Sequence, residues 1–500
     1  MDTCIDQAKI GAATNPYLEA IASHLSTDDI EHRLPYSPLT GVDVRQLSTQ
    51  ARFDMLDRMQ LQMFQPTLTS LDTTTRLFRM IRRGYLLRDP SLSSNRTRTI
   101  NIARFAGKNI EDLPWLPPTA HGMRNTGITG LGKTYELTRA LELIPPCILH
   151  GRSDAADWTH MTQVPWLYVG MSHDGSLGGL LLQILVALDK AAGTDYSNRR
   201  SITRLSNEKL AVQVGIALSN HAVGVLVIDE IQERNFSGGV RGGLAATFFL
   251  RMLNFGIPIV LMGNPLGMKV LDTFSQDMRR IGSGGSIEMH PMQVADDDFV
   301  KFFAPAIWRY NVMDEASPIQ DADGTILYKY SGGIRDYACR IVTAAQRLAL
   351  DLGHKCITQE HLDQAFEGPD FSRKDRDLIA GFRDKNPFLL QQFDDIPWQQ
   401  YAIDWGKFTP AEASIPSPSN TTQSNDATSS IPSKRTKPVS QQDHENMTRN
   451  RTRKENAKRK NAEAKANLSH DDMRNSGLQE HLISQFEHVR QNQPGTEIPQ

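Results

Sequence analysis

Residues 127 to 134 read Gly-Ile-Thr-Gly-Leu-Gly-Lys-Thr and satisfy every fixed position of the phosphate-loop pattern G-x-x-x-x-G-K-[ST]. Such a loop works only between a parallel strand and the amino end of a helix, so it restricts the fold as well as the ligand. Gly127, Gly130 and Gly132 let backbone N–H groups close on phosphate oxygens, with Thr129 and Leu131 completing the turn. Lys133 brings a point charge to the β- and γ-phosphates and Thr134 offers a hydroxyl to Mg²⁺. Tyr135 follows in the helix expected to open near Lys133, whose positive end adds to the cradle. The expected ligands are ATP and Mg²⁺.

The companions of such a loop lie downstream. Val223-Gly224-Val225-Leu226-Val227-Ile228 is a short, β-branched apolar run, as in a strand buried on both faces of a parallel sheet. Asp229 and Glu230 follow it directly. At a strand's carboxyl end, Asp229 can hold the Mg²⁺ shell while Glu230 polarises the water that attacks the γ-phosphate. A third apolar run, Ile257 to Met262, ends in Gly263-Asn264-Pro265. Asn264 is there either a water-positioning sensor or a turn-forming Asn before Pro. One local conflict stands out: the stretch leading into the loop, His121 to Thr126, is polar and poor strand material.

Strand and helix patterns alternate from residue 118 to 288, which predicts an α/β fold with a parallel sheet covered on both faces, of the P-loop AAA+ kind. Residues 1–117 read as a mainly helical extension, including Pro16 to Leu25 and the arginine-rich Leu68 to Leu87. Residues 289–408 read as a small helical lid and following helices, and 409–447, rich in Ser, Thr, Pro, Asn and Gln, as a disordered linker. A basic tail, 448–500, carries a candidate terminal helix, Leu478 to Val489. The four cysteines form no C-x-x-C pair, which argues against a zinc site or disulfide framework. No apolar run is long enough to span a bilayer and no leader is apparent, so the expected location is the cytoplasm, with no membrane partner. A net charge of −2 hides basic clusters, so it excludes no nucleic-acid role.

Arg279 and Arg280 fall after the third strand, where oligomeric ATPases present an arginine to a neighbour's γ-phosphate; an ordinary surface pair is the alternative. Arg335 stands where a lid would project a second sensor, or at the exposed start of a helix. Arg199, Arg200, Arg204 and Lys209 either line the bore of an oligomer and touch DNA phosphates or belong to a solvated loop.

Several segments together resemble the TnsC-type AAA+ regulators of bacterial cut-and-paste transposons, relatives of the TniB ATPases. They are Asn15-Pro16-Tyr17-Leu18-Glu19-Ala20, Met80-Ile81-Arg82-Arg83-Gly84-Tyr85, Ser172-His173-Asp174-Gly175-Ser176-Leu177, Ala187-Leu188-Asp189-Lys190, Leu226 through Gln232, and Arg279-Arg280. The resemblance spans roughly Asn15 to Phe366 and implies a homo-oligomer, ring or filament, that assembles with ATP on double-stranded DNA. It also implies a target-selection protein that signals to it, a transposase that it recruits, and release on hydrolysis. Two other functions use the same motifs: a replication-initiator or clamp-loader-like ATPase, and a nucleotide-gated scaffold with little turnover.

Overall fold

The computed structural model describes residues 15–408 except 22–24, 109–119, 173, 200, 233–239 and 273–278. The expected linker, basic tail and terminal helix therefore lie outside the described residues, as do His173 and Arg200. Those described belong to one compact unit, Met1–Pro416.

Its centre is a five-stranded sheet of order β4-β5-β6-β1-β7, all neighbours parallel. The strands are β1 (Gly122–Gly127), β4 (Leu167–Gly170), β5 (Leu226–Ile231), β6 (Ile259–Gly263) and β7 (Gly285–Met289). A separate hairpin pairs β2 (Ile148–His150) with β3 (Met161–Gln163). Alternating side chains split β5 and β6 between two cores. Val227, Val260 and Met262 face one, Leu226, Ile228, Ile259 and Leu261 the other.

The first core is covered by an amino-terminal helical layer: α1 (Pro16–Glu19), α2 (Thr27–Arg33), α3 (Thr49–Gln62) and α4 (Leu68–Leu87), followed by α5 (Ser93–Ala103), whose Ile102 joins the second core. The loop helix α6 (Lys133–Leu141) packs with α4. The second core is covered by α7 (Leu177–Ala192), α8 (Asn207–Asn220) and α9 (Val240–Asn254). After β6 come α10 (Pro265–Asp272) and, past β7, α11 (Ala304–Arg309), α12 (Thr325–Ser331), α13 (Arg335–Asp351), α14 (Gln359–Glu367), α15 (Arg373–Arg383), α16 (Pro387–Leu390) and α17 (Trp398–Asp404). The architecture is the expected α/β one: a parallel sheet between helical layers, with a helical group following it. Among the described residues no helix is long and apolar enough to cross a membrane.

The polar stretch before the loop does form a strand, and a buried one, flanked by β6 and β7. Arg124 pairs with Asp272 at 2.8 Å and Thr126 donates to the Ile287 carbonyl at 3.4 Å, so two of its polar side chains find partners. Asn125 does not: it is fully buried, and neither side-chain atom has a hydrogen-bond partner. Sheet pairing on both sides overrides the weak local propensity. Elsewhere the ends move: the first helix stops at Glu19 rather than Leu25, and β5 starts at Leu226 and runs on through Asp229 and Glu230.

Candidate functional site

The carboxyl ends of β1, β5 and β6 open into a cleft of about 720 Å³. Gly127 closes β1, and Gly130 and Gly132 follow with φ of +88° and +84°, left-handed values that a side chain resists. A Cβ on Gly130 would also come within 3.0 Å of Ile334. The loop ends at the first turn of α6, whose free N–H groups and dipole face the cleft.

Ten of the residues singled out in the sequence meet here: Lys133, Thr134, Asp229, Glu230, Asn264, Thr129, Gly130, Gly132, Tyr135 and Arg335 all line the cleft. Thr134 Oγ1 donates to Asp229 Oδ2 at 2.7 Å. Lys133 Nζ donates to the Ile128 carbonyl at 2.8 Å. Burial pushes the Lys133 pKa down, while Asp229, Glu230 and Asp395 pull it back up. Leu131 lies beneath the loop, buried in the first core.

The acidic pair is parted by a bulge. Ile228 and Ile231 are three residues apart yet share one core, and the β5–β6 register slips between them. Strict alternation forbids that arrangement; one extra residue permits it. Asp229 stays buried at 4% exposure, and Glu230 turns out to the exposed mouth with φ of +61°. A non-glycine residue in this region stores about 1–3 kcal/mol of strain, which accumulates at functional sites. Glu230 Oε2 accepts from Gln232 Nε2 at 2.6 Å.

Asp229 is further held by Tyr168 of β4, whose hydroxyl donates to its Oδ2, and by the Glu230 N–H on its Oδ1 at 2.6 Å. Burial and the bond to Asp229 push the Tyr168 phenol far above its ordinary range, so it remains a donor. Tyr168 escaped the sequence reading because only the register Val169 to Ile228 brings it to Asp229. The cleft is also walled by Leu61 in the last turn of α3, by Met63 and Phe64 from the connector to α4, and by Phe303 and Cys339. Tyr135 stands edge-on to Phe64, ring centroids 5.4 Å apart, and its hydroxyl donates to the Gln62 carbonyl.

Hard oxygen donors on Thr134 and Asp229, bonded to each other, suit Mg²⁺, and no group of three or more His, Cys, Asp or Glu among the described residues competes as a metal site. Asn264 Oδ1 caps α10 by accepting from Gly267 N–H at 2.7 Å, which leaves its Nδ2 as the donor for a water or phosphate. Arg335 lines the cleft, yet its guanidinium turns to the fully buried Glu136 at 3.2 Å and to Thr67 Oγ1 at 2.9 Å. Ser70 and Thr73 donate to the same carboxylate at 2.9 Å each. Nothing in the sequence marked Glu136, because its partners come from two distant segments, α4 and the start of α13.

Arg279 and Arg280 do not join the cleft. They precede β7, whose first residue pairs with Met123 near the start of β1, whereas the loop leaves β1 at Gly127. Arg280 instead donates to Asn254 Oδ1 at 3.2 Å. Arg199, Arg204 and Lys209 lie along the connection from α7 to α8. Arg199 stacks 4.7 Å over the Tyr196 ring, Arg204 is exposed and Lys209 is partly buried in the first turn of α8. Of the arginines on α4, Arg76 pairs with Asp72 at 2.7 Å and Arg79, Arg82 and Arg83 line a groove floored by Leu18, Leu25, Ile30 and Phe78. Arg88, just past the helix, reaches the Val223 carbonyl at 2.9 Å.

A family profile described as an AAA domain matches residues 125–269, the segment that contains the loop, β5 and β6. No curated protein matches the sequence. Among solved structures, the chain is similar to the ORC1 protein of Aeropyrum pernix in complex with DNA, at 15% identity over 56% of this chain and 68% of that one, with a TM-score of 0.34. It is similar to Cdc6p of Pyrobaculum aerophilum at 14% identity, 66% and 88% coverage and a TM-score of 0.35. The Holliday junction branch migration motor RuvB of Thermotoga maritima gives 14%, 64%, 91% and 0.33. Likeness at this level bears on neither ligand nor partner.

Proposed function

We propose that this chain is an ATPase that assembles with ATP on double-stranded DNA, links a target-selection protein to a transposase, and lets go on hydrolysis. The observation that carries the enzymatic half is the convergence of Lys133 and Thr134 from α6 with Asp229 and Glu230 from β5 on one cleft. The transposition half is supported by the segments that resemble TnsC-type regulators.

Within the cleft, loop N–H groups and Lys133 bind the phosphates, and the walls from Leu61 to Phe64 leave room for the base. A bound Mg²⁺ would be held by Thr134 and Asp229 and would neutralise phosphate charge. Tyr168 orients Asp229, and Glu230 draws the proton of the attacking water toward its carboxylate, with Asn264 positioning that water. Arg279 or Arg280 completes the site of a neighbouring copy. β1 alone separates these arginines from their own loop by about 17 Å, which exceeds the reach of an arginine side chain. Arg199, Arg200, Arg204 and Lys209 contact DNA phosphates without reading sequence. The amino-terminal extension, residues 1–117, meets the partners.

Glu230→Gln tests the reading. It should keep ATP and DNA binding, lower hydrolysis about a hundredfold and give assemblies on DNA that persist. Normal turnover in that variant removes Glu230 from its role, and turnover at background in the wild type, with DNA present, favours the scaffold reading.

A further inference from the structure

The cleft contains a carboxylate that none of its motifs supplies. Asp395 lies in the turn between α16 and α17, 266 residues beyond Thr129, and its Oδ2 accepts from Thr129 Oγ1 at 3.1 Å. It lines the cleft beside Gly130, Gly132 and Lys133, and its charge acts on the Lys133 ammonium. Among the described residues no lysine or arginine forms an ion pair with it. The turn is anchored: Ile396 is buried, and the N–H groups of Phe393 and Ile396 donate to the Leu390 and Phe393 carbonyls at 3.2 and 3.3 Å. A phosphate-loop lysine serves the β- and γ-phosphates. A carboxylate that accepts from Thr129 of the loop and lines the cleft with that lysine therefore stands at the end that the last phosphate must enter, and like charges there repel.

We infer that Asp395 stands in for the terminal phosphate: it holds Thr129 when that phosphate is absent, opposes its entry by charge, and is displaced when ATP binds. Displacement moves the anchored turn, so the third phosphate is reported to α16 and α17. The inference rests on reading the cleft as an ATP site, and it goes beyond that reading by adding a residue that tells ATP from ADP.

The test uses the full chain, with a non-hydrolysable ATP analogue and ADP as probes. Asp395→Asn should bind the analogue about fivefold tighter while ADP affinity changes less than about twofold, and Asp395→Glu should behave as the wild type. In the wild type, amide exchange across residues 391–398 should quicken with the analogue and not with ADP, a change that a merely structural turn would not show. Unchanged or weaker analogue binding in Asp395→Asn, or identical exchange with both nucleotides, overturns the inference. Failure of the wild type to bind either nucleotide, or normal binding by Lys133→Ala, instead overturns the reading of the cleft on which it rests.

Discussion

The two ends of the central sheet are built differently. At the carboxyl end, Thr134, Asp229 and Tyr168 satisfy one another across two strands and a helix within a single copy, and Lys133 donates to the Ile128 carbonyl. At the amino end of β1 and β7 stand Arg279, Arg280 and His121, with Arg83 close enough to lower the His121 pKa after burial has done so. Asn254 holds both Arg280, through its Oδ1, and Arg98, through its carbonyl. The contrast teaches that one end joins its polar side chains to one another across strands, whereas the other gathers arginines on the oxygens of Asn254. Under the proposed function, a second copy brings its nucleotide to that end.

The largest effect should come from breaking the amino end. Loss of the acting arginine, by Arg279→Ala or Arg280→Ala, is expected to lower hydrolysis by the assembled protein about a thousandfold while ATP still binds. Mixing that variant with Glu230→Gln should restore turnover, because one supplies an intact cleft and the other an intact arginine. A mixture as inactive as its components would mean that the two ends do not meet across copies.

A smaller effect separates two roles of Arg335, which touches the carboxyl end but is paired with buried Glu136. Removing one partner of a buried ion pair is strongly destabilising, and the donors Ser70 and Thr73 soften the loss. Arg335→Ala should therefore lower unfolding free energy by about 3 kcal/mol in urea titration. Unchanged stability with weakened ATP binding would make it a nucleotide sensor instead.

The smallest effect lies between the ends, at Asn125. A buried amide without partners costs about 1–3 kcal/mol, so Asn125→Leu, which keeps the branched four-atom skeleton, should stabilise the chain by about 1 kcal/mol in the same titration. Destabilisation of that size would show that the amide has a partner after all.

How much of this was legible in the sequence follows the range of the forces involved. β5 announced itself because a strand buried on both faces must be apolar throughout, and the loop did so because its glycines and lysine act locally. β7 was missed: Gly-Ser-Ile-Glu-Met has one strong apolar residue, and its place is set by parallel pairing with β1, more than a hundred residues earlier. The bulge that separates Asp229 from Glu230 was invisible for a similar reason, since it shows only as a slip against β6. Glu136 and Asp395 carry no motif; each is recruited by groups from elsewhere in the chain. The position of Arg279 and Arg280 after the third strand is read directly, but only the topology shows that they lie toward the opposite end of β1 from their own loop.

The central claim is that a triphosphate in the Lys133 cleft governs assembly on DNA. Electron microscopy of the protein with duplex DNA and a non-hydrolysable ATP analogue, beside the same mixture with Lys133→Ala, tests it most directly. The account predicts ordered rings or filaments on the duplex for the wild type and none for the variant. Equal assembly by both proteins, or by the wild type without nucleotide, would contradict it.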